Sequence, residues 1–253
     1  RLRNILIDFE VLLLKVKIIY AVKLILRAMI ACYCLGIYIT NPNLLDYTVS
    51  KPWIGILIIL GIILADILLK FVPLKLHPIG MRKHLKRFFI PSDHYLKKGI
   101  TDTDRKELKK LKNDGRNVFI FYLILNGIVF VLYFSGLIGV PEIIMVMMFY
   151  YVGDMICINI MCPFKLIFMR NRCCTGCRIF NWDSIMLVIP LAAVFSYISY
   201  IILLPAIVYT VMWEVSFARH PERFLPSCND SLKCSNCTHG MCPVKRRKEF
   251  TGK

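Results

Sequence analysis

Apolar residues along the chain collect into long runs rather than alternating with polar ones. "WIGILIILGIILADILLKFV" at 53–72 is nearly continuous, and runs of similar length occur at 19–40, 118–137 and 143–162. About twenty apolar residues in helical conformation span the roughly 30 Å of a bilayer's hydrocarbon. The four runs therefore predict four transmembrane helices. A fifth run, 184–213, has thirty residues. That is too long for one upright crossing and too short for two full ones, and Pro190 and Pro205 should each kink or break a helix there. It predicts a broken or re-entrant helical hairpin, a form tolerated only where protein or a water-filled cavity covers the irregular backbone. The fold class expected is an all-α integral membrane protein with four clear transmembrane helices, a broken or re-entrant hairpin and a small cysteine-rich cytoplasmic cap.

The polar stretches divide the chain further. Residues 1–18 mix charges with apolar positions and read as an amphipathic segment lying in the interface; they do not make a cleavable signal peptide. Because the sequence starts at Arg1 rather than Met, residues are expected to precede it. Then follow a first transmembrane hairpin (19–72), a basic loop (73–117), a second hairpin (118–162), a cysteine patch (163–183), the broken hairpin (184–213) and a cysteine-rich tail (214–253). Within the basic loop, "MRKHLKRFF" reads as an amphipathic stretch on anionic lipid. "TDTDRKELKKLKND" at 101–114 reads as a surface helix capped by Asp102 or Thr103, with Glu107 pairing to neighbouring lysines.

Charge gives these pieces sides. The chain carries a net +17, and residues 73–116 hold thirteen Lys or Arg, against one in 41–51 and none in 135–142. By the positive-inside rule, the N-terminus, the basic loop and the segment after the fourth span face the cytoplasm, with the chain placed in the plasma membrane. A hairpin at 184–213 returns the tail to the same side. The acidic partner of this basic chain is then anionic lipid headgroups. Nucleic acid is not expected, since no basic stripe interleaves with aromatics outside the spans.

The cysteines add candidate chemistry. Of eleven, eight fall in or beside two polar patches: Cys162, Cys173, Cys174 and Cys177, then Cys228, Cys234, Cys237 and Cys242. Cys157 lies one and a half turns before Cys162. Two pairs have the C-x2-C spacing that lets one tight turn aim two thiolates at one ion. The tail set supplies four soft ligands within fifteen residues, and His239 is a further candidate there. A zinc ion or an iron–sulfur cluster fits either patch, and Cys–Pro at 162–163 and 242–243 matches the end of bacterial ferredoxin runs. Disulfides would replace the metal if the tail faced an oxidising compartment. Cys32 and Cys34 read as packed membrane thiols. The lead-in segments "CRIFNWD" and "WEVSFARHPERF" suggest that the two patches meet, with Trp182 and Trp213 anchored at the interface.

Inside the spans, ionisable residues are costly and mark function. Asp66 and Asp154 are the candidates, as a proton relay or cation site or as partners of Lys23, Arg27 or Lys70. Lys23 and Arg27 are expected to snorkel to the interface. Asn126 should make an interhelical hydrogen bond. His77, His84 and His94 lack the spacing of a zinc-binding helix.

These features point to a membrane metalloprotein passing electrons to or from a membrane partner, a quinone or a redox protein. Two alternatives stay open. One is a transporter or membrane assembly factor whose cap is stapled by structural zinc. The other is a lipid-modifying enzyme working through the His- and Lys-rich loop, although no paired-carboxylate, Walker or Ser-elbow motif is present.

Overall fold

The computed structural model describes residues 2–72, 84–160, 162–169, 177, 179–233 and 236, with only the backbone described for 2–17, 165 and 180. Helix α1 runs uninterrupted over Leu2–Thr40. The expected interfacial segment is thus continuous with the first span, because no Pro or Gly occurs before Gly36 to break the hydrogen-bonded ladder. A 3-10 turn at Pro42–Leu45 ends it, and the following loop folds Leu45 and Tyr47 into the interior. Helix α2, Ile54–Leu69, has only 16 residues. Ile56, Ile59, Leu60, Ile63 and Ile67 are its buried stripe, one face of a 3.6-residue period. The helix stops four residues before Pro73, a residue type that disfavours helical geometry in the residue preceding it.

Helix α3, Asp93–Lys98, is capped by the Ser92 side chain and ends at Gly99, whose φ is +63°. Helix α4 covers Asp102–Phe134. The surface helix and the third span are one element, not two. Its cap is Thr101, one residue earlier than expected, in a reciprocal box with Asp104. A tight turn with Gly136 at φ +76° leads into α5, Val140–Asn159, so this span begins three residues before 143 and stops three before 162. Residues Lys165–Met169 form a π-helical turn.

Residues 183–219 form a helical hairpin. Its first arm is α6, Asp183–Val188, continued by a 3-10 segment at Ile189–Ala193 carrying Pro190 and an extended connection. The second arm is α7, Tyr197–Arg219, which runs through Pro205 without a break. The first arm rises about 29 Å, because 3-10 and extended residues advance about 2.0 and 3.3 Å each against about 1.5 Å for α-helix. Side-chain neighbours mark its course. Trp182 stacks edge-on to Phe119, near the start of the apolar half of α4, and Phe195 lies against Phe134 at its far end. There Ser199 and Tyr47 hydroxyls are hydrogen-bonded at 2.7 Å. The arm thus runs the length of α4's apolar half, and α7 brings the chain back.

Among the described residues four helices, 18–40 of α1, α4, α5 and α7, are long and apolar enough to cross a membrane. This set differs from the expected four: α2 falls short, and the second arm of the hairpin takes its place. Large apolar side chains such as Phe149, Phe195 and Leu137 are about three-quarters exposed, a surface that suits hydrocarbon rather than water. Among the described residues there is no strand, only an isolated bridge between Pro91 and Asn229.

The returning tail packs on the basic segment. Ser92 donates its N–H to the Cys228 carbonyl at 2.9 Å, and Asp230 N–H donates to Ile90 at 2.8 Å. His84 is buried, its ring stacked on Phe224 at 4.5 Å and edge-on to Trp213 at 6.4 Å. This corrects two expectations. His84 lies in an aromatic cluster rather than on lipid, and Trp213 is interior rather than an interface anchor. Both follow from the hairpin, which lays the end of α7 against the loop before α3.

Candidate functional site

Arg27 is the centre of the site. It is 5% exposed and does not snorkel. One guanidinium nitrogen donates to Asp154 Oδ2 at 2.7 Å and to the Tyr151 carbonyl at 3.0 Å. The other donates to Asp66 Oδ2 at 2.5 Å, and the group lies 4.3 Å from the centre of the Tyr151 ring. The planar fork of an arginine suits such a bridge, since it presents donors in two directions at once. Lys23 approaches Asp66 at 4.0 Å. Lys70 donates to Asp183 at 2.6 Å and to the Ser184 hydroxyl at 2.8 Å. Asp66 and Asp154, the two intramembrane candidates, are therefore brought together on one arginine. Helix spacing explains how: Lys23 and Arg27, like Asp66 and Lys70, are four residues apart and share a face.

These charges line part of a cavity of about 530 Å³ between α1, α2, α4, α5 and the start of the hairpin. The volume lies within the roughly 300–1,000 Å³ of small-molecule sites. Its walls are mainly apolar and aromatic, and they include Cys157, Cys162 and Cys177. Cys177 also contacts the buried Met169 thioether at 3.5 Å. The cavity thus joins residues that looked separate in the sequence, Cys162 and Cys177 of the first patch and the carboxylates of Asp66 and Asp154. Asn126 donates to the Tyr122 carbonyl of its own helix at 2.9 Å and is also hydrogen-bonded across to Tyr150 of α5.

Cys173, Cys174, Cys234, Cys237, Cys242, His77 and His239 lie outside the described residues. Among the described residues no group of three or more His, Cys, Asp or Glu is placed to hold a metal ion. Cys228 is fully buried where the tail meets the basic segment, 3.8 Å from the Ser227 hydroxyl. Burial pushes its thiol up, against the hydrogen bond to Ser227. The two lead-in segments do meet: Trp182 Nε1 donates to Glu214 at 2.6 Å.

A polar latch fastens the tail. Ser227 donates to Asp104 Oδ1 at 2.6 Å, Thr101 donates to Oδ2 through both N–H and hydroxyl, and His94 sits 3.3 Å away. Burial pushes the Asp104 carboxyl up, but these hydrogen bonds outweigh it and hold the group well below the usual carboxylate range. A carboxyl lowered on folding stabilises the latch above its unfolded value of about 3.9, and that stability drains away as pH falls below it. Amide exchange in residues 223–232, corrected for intrinsic rates, should speed up between pH 6 and pH 3. Asp104→Asn should flatten that dependence; an unchanged profile would mean that another group governs it.

No protein-family model, curated protein or solved structure matches the chain.

Proposed function

We propose that the chain is a membrane metalloprotein that exchanges electrons between a thiolate-held metal and a lipid-soluble partner seated in the cavity. One observation supports this above the rest: Cys157, Cys162 and Cys177 line the same cavity as Asp66 and Asp154. Thiolates are the ligands of iron–sulfur clusters and of zinc, and the carboxylates beside them can take up or release protons that accompany electrons. In this reading Cys162, Cys173, Cys174 and Cys177 hold the metal nearest the cavity. Cys234, Cys237 and Cys242, with Cys228, form a second set in a cap on the cytoplasmic side. The excess of Lys and Arg in 73–116 supports that side, and the hydrogen bonds of 227–230 to 90–104 support the same side for those residues.

Anaerobic purification in detergent, with elemental analysis, acid-labile sulfide and a visible spectrum on one sample, tests it. Iron with labile sulfide and a brown colour bleached by dithionite is the expected result. A Cys162→Ser/Cys177→Ser variant should lose most of the colour while still inserting. Zinc in a colourless protein would overturn electron transfer. It would select the transporter or assembly-factor reading, which the interrupted arm around Pro190 favours, since broken helices often line solute sites in transporters. Absence of any metal would sink both.

A further inference from the structure

We infer that the cavity is loaded from the bilayer with an uncharged, ring-headed amphiphile of the quinone class; this rests on reading the cavity as the partner's seat. The first argument is charge. Lys23, Arg27 and Lys70 face Asp66, Asp154 and Asp183, three of each sign, and the tightest cations are already committed. Arg27 serves two carboxylates and a carbonyl, and Lys70 serves Asp183 and Ser184. A phosphate or carboxylate headgroup would add an uncompensated charge to a poorly solvated site, which is costly. Lys23, with 43% of its side chain exposed and only a 4.0 Å contact to Asp66, is left to donate a hydrogen bond to a neutral carbonyl.

The second argument is the wall. Tyr20, Tyr122 and Tyr150 line the cavity, and the last two stand with ring centres 5.4 Å apart, flat apolar faces on which a ring can pack. The third is the route. Leu125, Phe149 and Ile156 belong to the cavity wall and are also exposed on the apolar outer surface. A hydrocarbon tail can leave along them without crossing water. Finally, a Cβ built at the cavity-lining Gly153 would meet no atom within 4 Å beyond its chain neighbours and its own helix backbone, so the space beside it is open for a ligand and can be filled by mutation.

The test uses the full chain in phosphatidylcholine nanodiscs, with bound ligand counted against protein-free discs. Decylubiquinone should bind saturably, one per chain, and palmitate at least tenfold more weakly. Gly153→Leu should weaken decylubiquinone binding at least tenfold without lowering the unfolding midpoint. Lys23→Met, which leaves the Arg27 pairs intact, should weaken it about fivefold. The inference is overturned if palmitate binds as tightly, if neither variant changes quinone binding, or if no saturable binding occurs. Metal content of the same samples separates the two ideas. Metal without quinone binding leaves the electron-transfer reading standing and removes this one; quinone binding without metal does the reverse.

Discussion

Arg27→Met should destabilise the bundle by about 3–5 kcal/mol, the usual cost of removing one partner from a buried ionic group. The substitution keeps most of the volume but deletes the cation shared by Asp66 and Asp154. Lys70 is held by Asp183 and Ser184, and Lys23 reaches Asp66 only at 4.0 Å, so neither can stand in. Two carboxylates would then remain together in a site where each is about one-fifth exposed. The midpoint of unfolding in detergent, followed by tryptophan fluorescence, is the measurement. Arg27→Lys should recover only part of the loss, because a single ammonium cannot reproduce the two-directional fork. Arg27→Met/Asp66→Asn/Asp154→Asn should recover most of it, since the triple change removes the charges together. A single variant as stable as the parent, or a triple variant no better than the single, would refute the role given to Arg27.

What the sequence could and could not reveal here follows from the range of the interactions involved. Apolar run length is local, so the spans at 19–40 and 143–162 and the end of the one at 118–137 were legible to within a few residues, while the start of the last was hidden because α4 runs back to Asp102. The short α2 was not, because its limits depend on where Trp53 and Lys70 leave the helix, not on hydropathy. The hairpin was legible as a hairpin, yet its reach was not. The tightening to 3-10 geometry at Ile189–Ala193 gives the arm extra rise per residue, and run length counts residues only. Asp66 and Asp154 stood out by their cost in hydrocarbon, but their common partner lies 39 and 127 residues away along the chain. Arg27 looked like a snorkelling residue because nothing nearby in sequence hints at burial. The i, i+4 pairs Lys23/Arg27 and Asp66/Lys70 were the available signal, two faces of matched charge on different helices. In sequence Cys157 is only a neighbour of the first patch, and its place on the cavity wall depends on how α5 is rotated in the bundle.

The junction of tail and basic segment rests on few groups, which makes Trp213→Ala the second large expected effect. Trp213 is 3% exposed and packs edge-on to Tyr209, His84 and Phe224 at 6.2–6.4 Å. Its removal should cost about 3–5 kcal/mol, the range for buried Trp or Phe truncation. That loss falls on one end of the molecule. The Phe224–His84 stack loses its backing, and residues 223–232 are then held mainly by the Ser92, Asn229 and Asp104–Ser227 hydrogen bonds. Local opening should therefore precede global unfolding. Limited trypsinolysis in detergent should cut faster at Lys86, Arg87 and Arg223, while the cavity end of the bundle, around Arg27, stays protected. Trp213→Phe, which keeps a ring in place, should restore most of the resistance. Cleavage at the parental rate would show that the aromatic cluster does not fasten the tail. Because the weakened junction then leans on Asp104, the acid-driven exchange of residues 223–232 should also begin at a higher pH in Trp213→Ala than in the parent. Less stability remains to be lost before the segment opens, so a smaller protonated fraction of Asp104 is enough to release it.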